Sequence, residues 1–164
     1  RERVLVTPPR DSSLVARKVG VIDLQLHASP AYLARRGTPR EMGDLAAHDW
    51  VGYRGQDRLV LSGPAGEAVI EREARIAADD MSFLRAALRA GAGIGPVPLF
   101  LAEADVVSGA LVPVLPEWVS HTGTVYLVQP GRKHVPRKVT AFGEVLVEVL
   151  RGSPLVGRGG VSRA

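Results

Sequence analysis

The sequence predicts an α/β fold, because short apolar strands alternate with amphipathic helices almost throughout the chain. Segment 77–115 carries most of this prediction. It runs from an acidic helix start through a helix, a glycine-rich passage, a buried strand and a second helix to a further strand. Ser-Pro and Thr-Pro pairs mark further helix starts. A chain of 164 residues is long enough for one domain with a sizeable core or for two small lobes.

Composition excludes several classes of protein. The hydrophobic share of 46% and the charged share of 23% are typical of a soluble globular protein. No apolar run approaches the roughly 18 residues that a membrane span needs, and the chain opens without the apolar region of a signal peptide. Because cysteine is absent, a disulfide scaffold and thiolate metal sites are excluded. We therefore expect a cytoplasmic protein that has no membrane partner.

The formal net charge of +4 raises the question of nucleic-acid binding. The basic residues occur singly or in pairs, however, and no helix-turn-helix pattern or basic stripe carries them. An arginine-rich composition with abundant alanine, glycine and valine also fits a GC-rich genome. Direct DNA contact by this chain is therefore disfavoured.

Residues 14–28 are predicted to be extended. Leu24 and Leu26 alternate with polar residues, which predicts a strand with one buried face. Val19 lies in the opposite phase, so a bulge or bend is expected near Ile22.

Helix starts and ends are clear in the next segment. Ser29 and Pro30 form an N-cap and a first helical residue, and Gly37 is placed to end that helix. Thr38–Glu41 has the spacing of a capping box, which predicts a second helix reaching about Ala47.

A hairpin and a closing helix are predicted further along the chain. Strands at 58–62 and 68–72 flank the loop Gly63–Gly66. The last helix should bury an apolar stripe against a sheet, and its members are Val139, Phe142, Leu146 and Val149. Residues 151–164 are rich in glycine, serine and arginine and are predicted to be disordered.

The helix over 81–90 begins beside two carboxylates. Asp79 or Asp80 is expected to cap it. The pair could instead perform acid/base chemistry, but one aspartate explains a cap fully. The other aspartate remains a candidate polar contact for a ligand.

The sequence holds no recognisable catalytic or metal site. The glycines of Gly91–Gly95 follow a helix instead of preceding one, so they indicate a helix end and a tight passage into a strand, not a nucleotide loop. The four histidines lack metal-ligand spacing. The serines in turn and cap contexts are not set in a nucleophile elbow. We therefore expect no enzyme, no metal and no cofactor.

Several segments, taken in order and with their spacing, resemble the effector-binding domain of LysR-type transcriptional regulators. Together they cover about residues 1–150. The segments are D-S-S-L-V-A-R at 11–17, A-S-P-A-Y-L at 28–33, G-T-P at 37–39, D-L at 44–45, the module 80–98, G-A-L-V at 109–112, and the closing pieces 125–130 and 139–142.

This resemblance implies two Rossmann-like lobes joined by two crossovers, as in periplasmic binding proteins of type II. The implied bounds are 1–18 plus 124–150 for lobe one, 28–115 for lobe two, and 19–27 and 116–123 for the crossovers. The family's winged helix-turn-helix, its linker helix and the first part of its effector domain are absent from this sequence. Arg3–Thr7 also departs from the I-R-x-G strand that the family often has there. Lobe one is therefore expected to be incomplete, as in a fragment of a longer regulator.

The implied function is sensing of a small effector, such as a carboxylate, in a cleft between the lobes. The expected effector-binding residues are Gln25, Asp79, Asp80, Met81 and Pro98. DNA would be bound only through the missing N-terminal domain, and the full-length protein would be a homo-oligomer. The alternative is a free solute-binding protein of the same fold. A hydrolase or transferase is disfavoured, since no nucleophile and base can be paired.

Overall fold

The computed structural model describes part of the chain in detail. The described residues are 3–5, 14–130, 141–145 and 148–149. Two compact units divide the chain: unit 1 comprises Arg1–Asp23 and Thr122–Ala164, and unit 2 comprises Leu24–His121. Both boundaries fall inside the predicted crossovers 19–27 and 116–123, although the assignment of lobes remains a prediction.

The elements alternate as an α/β fold requires. The strands are β1 (Arg3–Leu5), β2 (Leu14–Ala28), β3 (Val51–Tyr53), β4 (Arg58–Gly63), β5 (Gly66–Glu71), β6 (Ile76–Ala78), β7 (Gly95–Pro98), β8 (Val112–Pro113) and β9 (Val119–Pro130). The helices are α1 (Pro30–Arg36), α2 (Met81–Arg89) and α3 (Leu99–Val107), with a 3-10 helix at Met42–Ala47 and a helical segment at 141–145.

The strands β6, β3 and β7 of unit 2 run parallel. β3 pairs with β6, and Trp50 bridges Ile94 in parallel at the start of β7. β7 pairs antiparallel with β2, which also pairs with β8. The β4–β5 hairpin joins the start of β9 through Ser62 and Val119.

An apolar cluster holds the helices of unit 2 on these strands. Its buried members are Val51, Leu84, Leu88, Val97, Ala102 and Leu111. They come from β3, α2, β7, α3 and the residue before β8, so burial of this one cluster fixes where both helices lie. Truncating a fully buried leucine such as Leu88 to alanine costs about 2–5 kcal/mol.

Unit 1 has a smaller described core. β1 pairs antiparallel with β9. Val19 on β2 packs with Val125 and Leu127 on β9, and Ile22 adds a half-buried contact. The buried phase of β2 changes between Val19 and Leu24, as its sequence pattern predicts.

Capping explains several helix ends. The Ser29 hydroxyl accepts a hydrogen bond from the Tyr32 N–H at 3.3 Å, and Pro30 opens α1, as predicted. Gly91 follows α2 with φ +80°. Its N–H bonds to the Leu88 carbonyl and the Ala92 N–H to that of Ala87, which forms a Schellman motif and confirms the predicted helix end.

Gly95 allows β7 to approach β3 closely. A β-carbon at this position would lie 2.2 Å from the carbonyl oxygen of Val51. Only glycine therefore fits here, and the glycine-rich passage serves strand packing.

The predicted capping box at Thr38–Glu41 is wrong in position. The helix that follows is a 3-10 helix that begins at Met42. The Asp44 carboxylate accepts hydrogen bonds from the N–H groups of Arg40 at 2.8 Å and Glu41 at 3.1 Å. These bonds hold the pKa of Asp44 below its usual value and move the cap three residues along the chain.

The predicted burial of the last helical stripe is also wrong for its two described members, Phe142 and Val149. Phe142 is 59% exposed and Val149 is 61% exposed. Val139 and Leu146 lie outside the described residues, as does the predicted disordered tail. Periodicity correctly indicates a helix at 141–145. The apolar side chains of this helix, such as Phe142, are not buried by the described part of the chain.

Candidate functional site

The parallel strands β6, β3 and β7 of unit 2 all end on the same side, where the β3–β6 pair is bridged to the β7 segment by Trp50 and Ile94. β3 ends at Tyr53, β6 at Ala78 and β7 at Pro98. Helices α2 and α3 begin directly beyond β6 and β7. We call this the carboxyl edge. In α/β sheets, ligands bind outside the carboxyl ends of parallel strands, so this edge is the candidate site.

Asp80 is committed to capping α2. Its Oδ1 accepts a hydrogen bond from the Phe83 N–H at 2.8 Å, and its backbone carbonyl accepts one from Leu84 at 3.1 Å. The sequence left Asp79 and Asp80 as alternative caps, and the structure assigns the cap to Asp80. Its carboxylate satisfies a helix-start donor that would otherwise be open to a ligand.

Asp79 instead faces a cation that sequence analysis missed. Its Oδ2 lies 3.6 Å from Nε of Arg54, and both side chains are 68% exposed. An ion pair this exposed contributes little to stability. Both partners are therefore available to other charged groups at modest cost.

Arg54 reaches the carboxyl edge because β3 and β6 are neighbours. Its N–H donates to the Ala78 carbonyl at 3.0 Å, which continues the parallel pairing beyond β3. A basic residue directly after a strand was the only signal in the sequence. The contact of Arg54 with Asp79 depends on the parallel pairing of β3 with β6, which no sequence pattern reveals.

Met81 lies half-buried at the start of α2. It packs against the apolar cluster of unit 2. Much of its side chain is therefore committed to the core, and only the remainder is accessible at the carboxyl edge.

Gln25 and Pro98 lie on paired strands at this same edge. Pro98 is buried, pairs with Leu24, and precedes α3 without offering a side-chain acceptor. The first N–H groups of this nine-residue helix thus lack a cap from that position. The Gln25 amide donates to the Pro116 carbonyl at 2.6 Å.

A buried carboxylate behind the edge ties α2 to α3. Asp105 on α3 receives two hydrogen bonds from the Arg85 guanidinium, through Nε and, at 3.0 Å, Nη2. Arg89 lies 3.7 Å away. The Asp105 side chain is only 5% exposed, and the Arg85 hydrogen bonds hold its pKa below the usual range. This network joins the middle of α2 to the last turn of α3.

His27 lies two residues beyond Gln25 and is fully buried. Its Nδ1 lies 2.9 Å from the Gln25 carbonyl, which can only accept, so Nδ1 carries the proton. Burial lowers the pKa of His27, and the ring is therefore neutral near pH 7.

Within the described ranges, no group of three or more histidine or carboxylate side chains is placed to hold a metal ion. No helix of that part of the chain is long and apolar enough to cross a membrane.

Comparison with known proteins adds independent observations. Residues 4–151 match the family model described as the LysR substrate binding domain. Over 151 residues, 88% of this chain, the sequence is 30% identical to an HTH-type transcriptional repressor of Pseudomonas aeruginosa (strain UCBPP-PA14), covering 47% of that protein. It is 32% identical to the HTH-type transcriptional activator AaeR of Escherichia coli (strain K12), covering 79% of this chain and 43% of AaeR.

Solved structures agree with these matches. The regulatory domain of AphB from Vibrio vulnificus has a TM-score of 0.76 and 29% identity, over 90% of this chain and 74% of that one. The regulatory domain of CrgA from Neisseria meningitidis has a TM-score of 0.75 and 26% identity, over 91% and 74% respectively. The chain spans less than half of the length of the two regulators compared by sequence.

Proposed function

Because the chain belongs to the family of LysR substrate-binding domains, we propose that it senses a small effector at the carboxyl edge of unit 2. Its fold is the periplasmic-binding-protein type II-like fold of LysR regulatory domains. The relatives compared are transcriptional regulators, not enzymes, and nothing in the comparisons favours a free solute-binding protein.

The single observation that supports this location most is the convergence of two helix starts beside an exposed ion pair. Asp80 satisfies the start of α2, whereas the residue before α3 has no side-chain acceptor. Open N–H groups and the positive end of a helix dipole favour an anion such as a carboxylate. Exposed Asp79 can accept hydrogen bonds from a donor elsewhere on the same molecule. The effector class is thus a small carboxylic acid that also carries a donor group.

Each predicted residue then has a distinct role. Asp79, the exposed part of Met81 and the amide of Gln25 are direct effector contacts, and Arg54 joins them. Asp80 acts through the helix start that it caps. Pro98 acts by leaving the first turn of α3 uncapped.

The whole regulator would use this signal to change its DNA binding. DNA contact would come from a helix-turn-helix domain outside this chain, in a homo-oligomer of the full-length protein. The relatives' names as HTH-type regulators support that arrangement.

A thermal-shift screen with small carboxylic acids tests the proposal. An effector at about 100 times its Kd adds about 2.7 kcal/mol of stability and raises the melting temperature. The rise in melting temperature should be largely lost in Asp79→Asn and Arg54→Gln, because each substitution removes a proposed charged contact to the effector. Both side chains are exposed, so neither substitution should disturb the core. Arg58→Gln, at the exposed start of β4, is the matched control and should respond like the wild type. An effector that stabilises all four proteins equally would place the site elsewhere.

A further inference from the structure

Strand β5 lies at one end of its sheet. In the strand order it neighbours β4 alone among the described strands. Gly63 and Gly66 pair across a two-residue turn, so every second residue from Gly66 bonds to β4. The outward backbone N–H and C=O groups then belong to Glu67, Val69 and Glu71.

A groove with a partly apolar lining runs beside this open edge, and Glu71 and Arg72 also line it. A cavity of about 400 Å³ lies between β5 and the 3-10 helix. Its apolar lining comes from Met42, Leu45, Ala46, Ala68, Val69 and Ile70. Val69 is a β-branched residue that is 50% exposed. The edge thus offers both unpaired backbone groups and apolar contacts.

Arg72 links the two elements that form the groove, β5 and the 3-10 helix. Its guanidinium donates to the Leu45 carbonyl at 2.5 Å and to the His48 carbonyl at 2.7 Å. The end of β5 is therefore fastened to the end of the 3-10 helix. A groove that is already formed loses less entropy on binding.

The charge along the edge indicates what can pair there. Glu67 and Glu71 are exposed and flank Val69 on one face of the strand, about 13 Å apart at the usual rise per residue. If two copies paired antiparallel about Val69, each Glu67 would oppose a Glu71, and like charges directly opposite are destabilising. Arg58 on β4 stands across from Glu71 only. The edge is therefore better matched to basic side chains than to a second copy.

We propose that β5 receives an extended, basic segment of another protein as an added strand. Residues opposite Glu67 and Glu71 would be lysine or arginine, and the residue opposite Val69 would be apolar. Small apolar residues between them would face the groove. Main-chain hydrogen bonds then supply affinity and the alternating side chains supply specificity. This interface lies on different elements from the carboxyl edge and does not depend on the effector proposal.

A labelled peptide containing lysine–alanine–valine–alanine–lysine tests the interface by fluorescence anisotropy. The peptide should bind the wild-type chain. Its affinity should fall at least about tenfold when alternate peptide nitrogens are methylated, since methylation removes the strand hydrogen bonds but keeps the charge. Val69→Pro should cause a similar loss, because proline removes an outward N–H at a strand edge, where it is tolerated structurally.

Charge reversal gives a second, independent variant. Glu67→Lys/Glu71→Lys should lose the lysine peptide and gain a glutamate peptide of the same pattern. Glu103→Lys/Glu144→Lys changes the net charge equally at exposed positions outside β5 and should keep the lysine peptide within about twofold. Thermal melts confirm that each variant is folded.

Three results would overturn the proposal. Equal binding of the methylated peptide would mean that charge alone attracts it. A concentration-dependent dimer that Val69→Pro abolishes would make a second copy the occupant. No binding at millimolar peptide would mean that Glu67 and Glu71 only protect the edge from pairing.

Discussion

The indole ring of Trp118 lies directly against the α-carbon of Gly63. A β-carbon at position 63 would lie 2.4 Å from Cδ2, 2.6 Å from Cε3 and 2.8 Å from Cε2 of the ring. Beside this contact, Ser62 pairs with Val119. The end of β4 is therefore fastened to the segment that leads into β9 by one backbone pair and one glycine–tryptophan contact.

Gly63→Ala should lower the free energy of unfolding by about 1–3 kcal/mol, because the new methyl group must displace the Trp118 ring. Urea denaturation measures this loss. Gly43→Ala is the matched control, since a β-carbon there would meet only Glu41 Oε1 at an ordinary 3.7 Å. In a Trp118→Ala background, Gly63→Ala should lower the free energy of unfolding much less than it does in the wild type. A double-mutant cycle measures this difference. Equal costs in both backgrounds would contradict the steric explanation.

Asp105→Asn should destabilise unit 2 by about 1.5–3 kcal/mol, because it weakens the charge-assisted hydrogen bonds that Arg85 donates to this buried carboxylate. Asp49→Asn provides the comparison. Asp49 pairs with Arg75 at 2.9 Å, but the Arg75 side chain is 69% exposed, so its loss should cost about 1 kcal/mol or less. Chemical denaturation of both variants checks the ranking. Similar losses would mean that burial of Asp105 has no energetic consequence.

Two buried histidines should make the protein less stable in mild acid. Burial lowers the pKa of His27 and of His48 from 6.5, and the Arg36 charge contributes at His48. Both rings are therefore neutral when folded and become protonated first in the unfolded chain. The contribution of these histidines to the free energy of unfolding is complete above about pH 6.5. As the pH falls below 6.5, the free energy of unfolding decreases by up to about 1.4 kcal/mol per pH unit for each histidine.

Urea denaturation at pH 7.5, 6.0 and 5.0 measures that slope. His27→Gln should flatten it, whatever its effect at pH 7.5. The depressed pKa of Asp105 contributes in a different window, since its stabilisation is lost only as the pH falls below 3.8. A slope unchanged by His27→Gln would show that His27 does not titrate on unfolding.

Phe142→Asp should change stability by only about 0.5 kcal/mol or less, because an exposed side chain makes few core contacts. Differential scanning calorimetry checks this against Leu88→Ala, whose side chain is fully buried. Unfolding of the Phe142 variant at room temperature would restore the sequence-based prediction that this stripe is buried.

The chain alone should bind DNA weakly and without sequence preference. A net charge of +4 gives only non-specific attraction, which falls steeply with salt as counterions are released. Gel shifts at 50 and 150 mM salt with a specific and a scrambled duplex measure it. Tight, sequence-selective binding at 150 mM salt would show that this chain carries a DNA-reading surface of its own.

The parts of this protein that the sequence predicted well depend on neighbours a few residues apart. Ser29 caps α1 because its hydroxyl reaches an N–H three residues away. Gly91 ends α2 because it adopts a positive φ. The hairpin turn and the continuous strand Leu14–Ala28 follow from turn chemistry and alternation in the same way.

Competition between local partners limited other predictions. Thr38 and Asp44 both offered caps, and the Asp44 carboxylate took the N–H groups of Arg40 and Glu41. Asp79 and Asp80 were equivalent in sequence, but only Asp80 bonds the start of α2. Both aspartates are exposed, and their one-residue offset decided which of them caps α2 and which pairs with Arg54.

Tertiary structure alone decided the composition of the carboxyl edge and the fate of the last apolar stripe. Arg54 meets Asp79 because β3 and β6 pair in parallel, and Arg85 meets Asp105 because α2 and α3 lie on the same cluster. These partners are separated by 20 residues or more, so no local pattern records them. Periodicity placed Phe142 on the apolar face of a helix, but burial depends on what packs against that face, which only the folded chain determines.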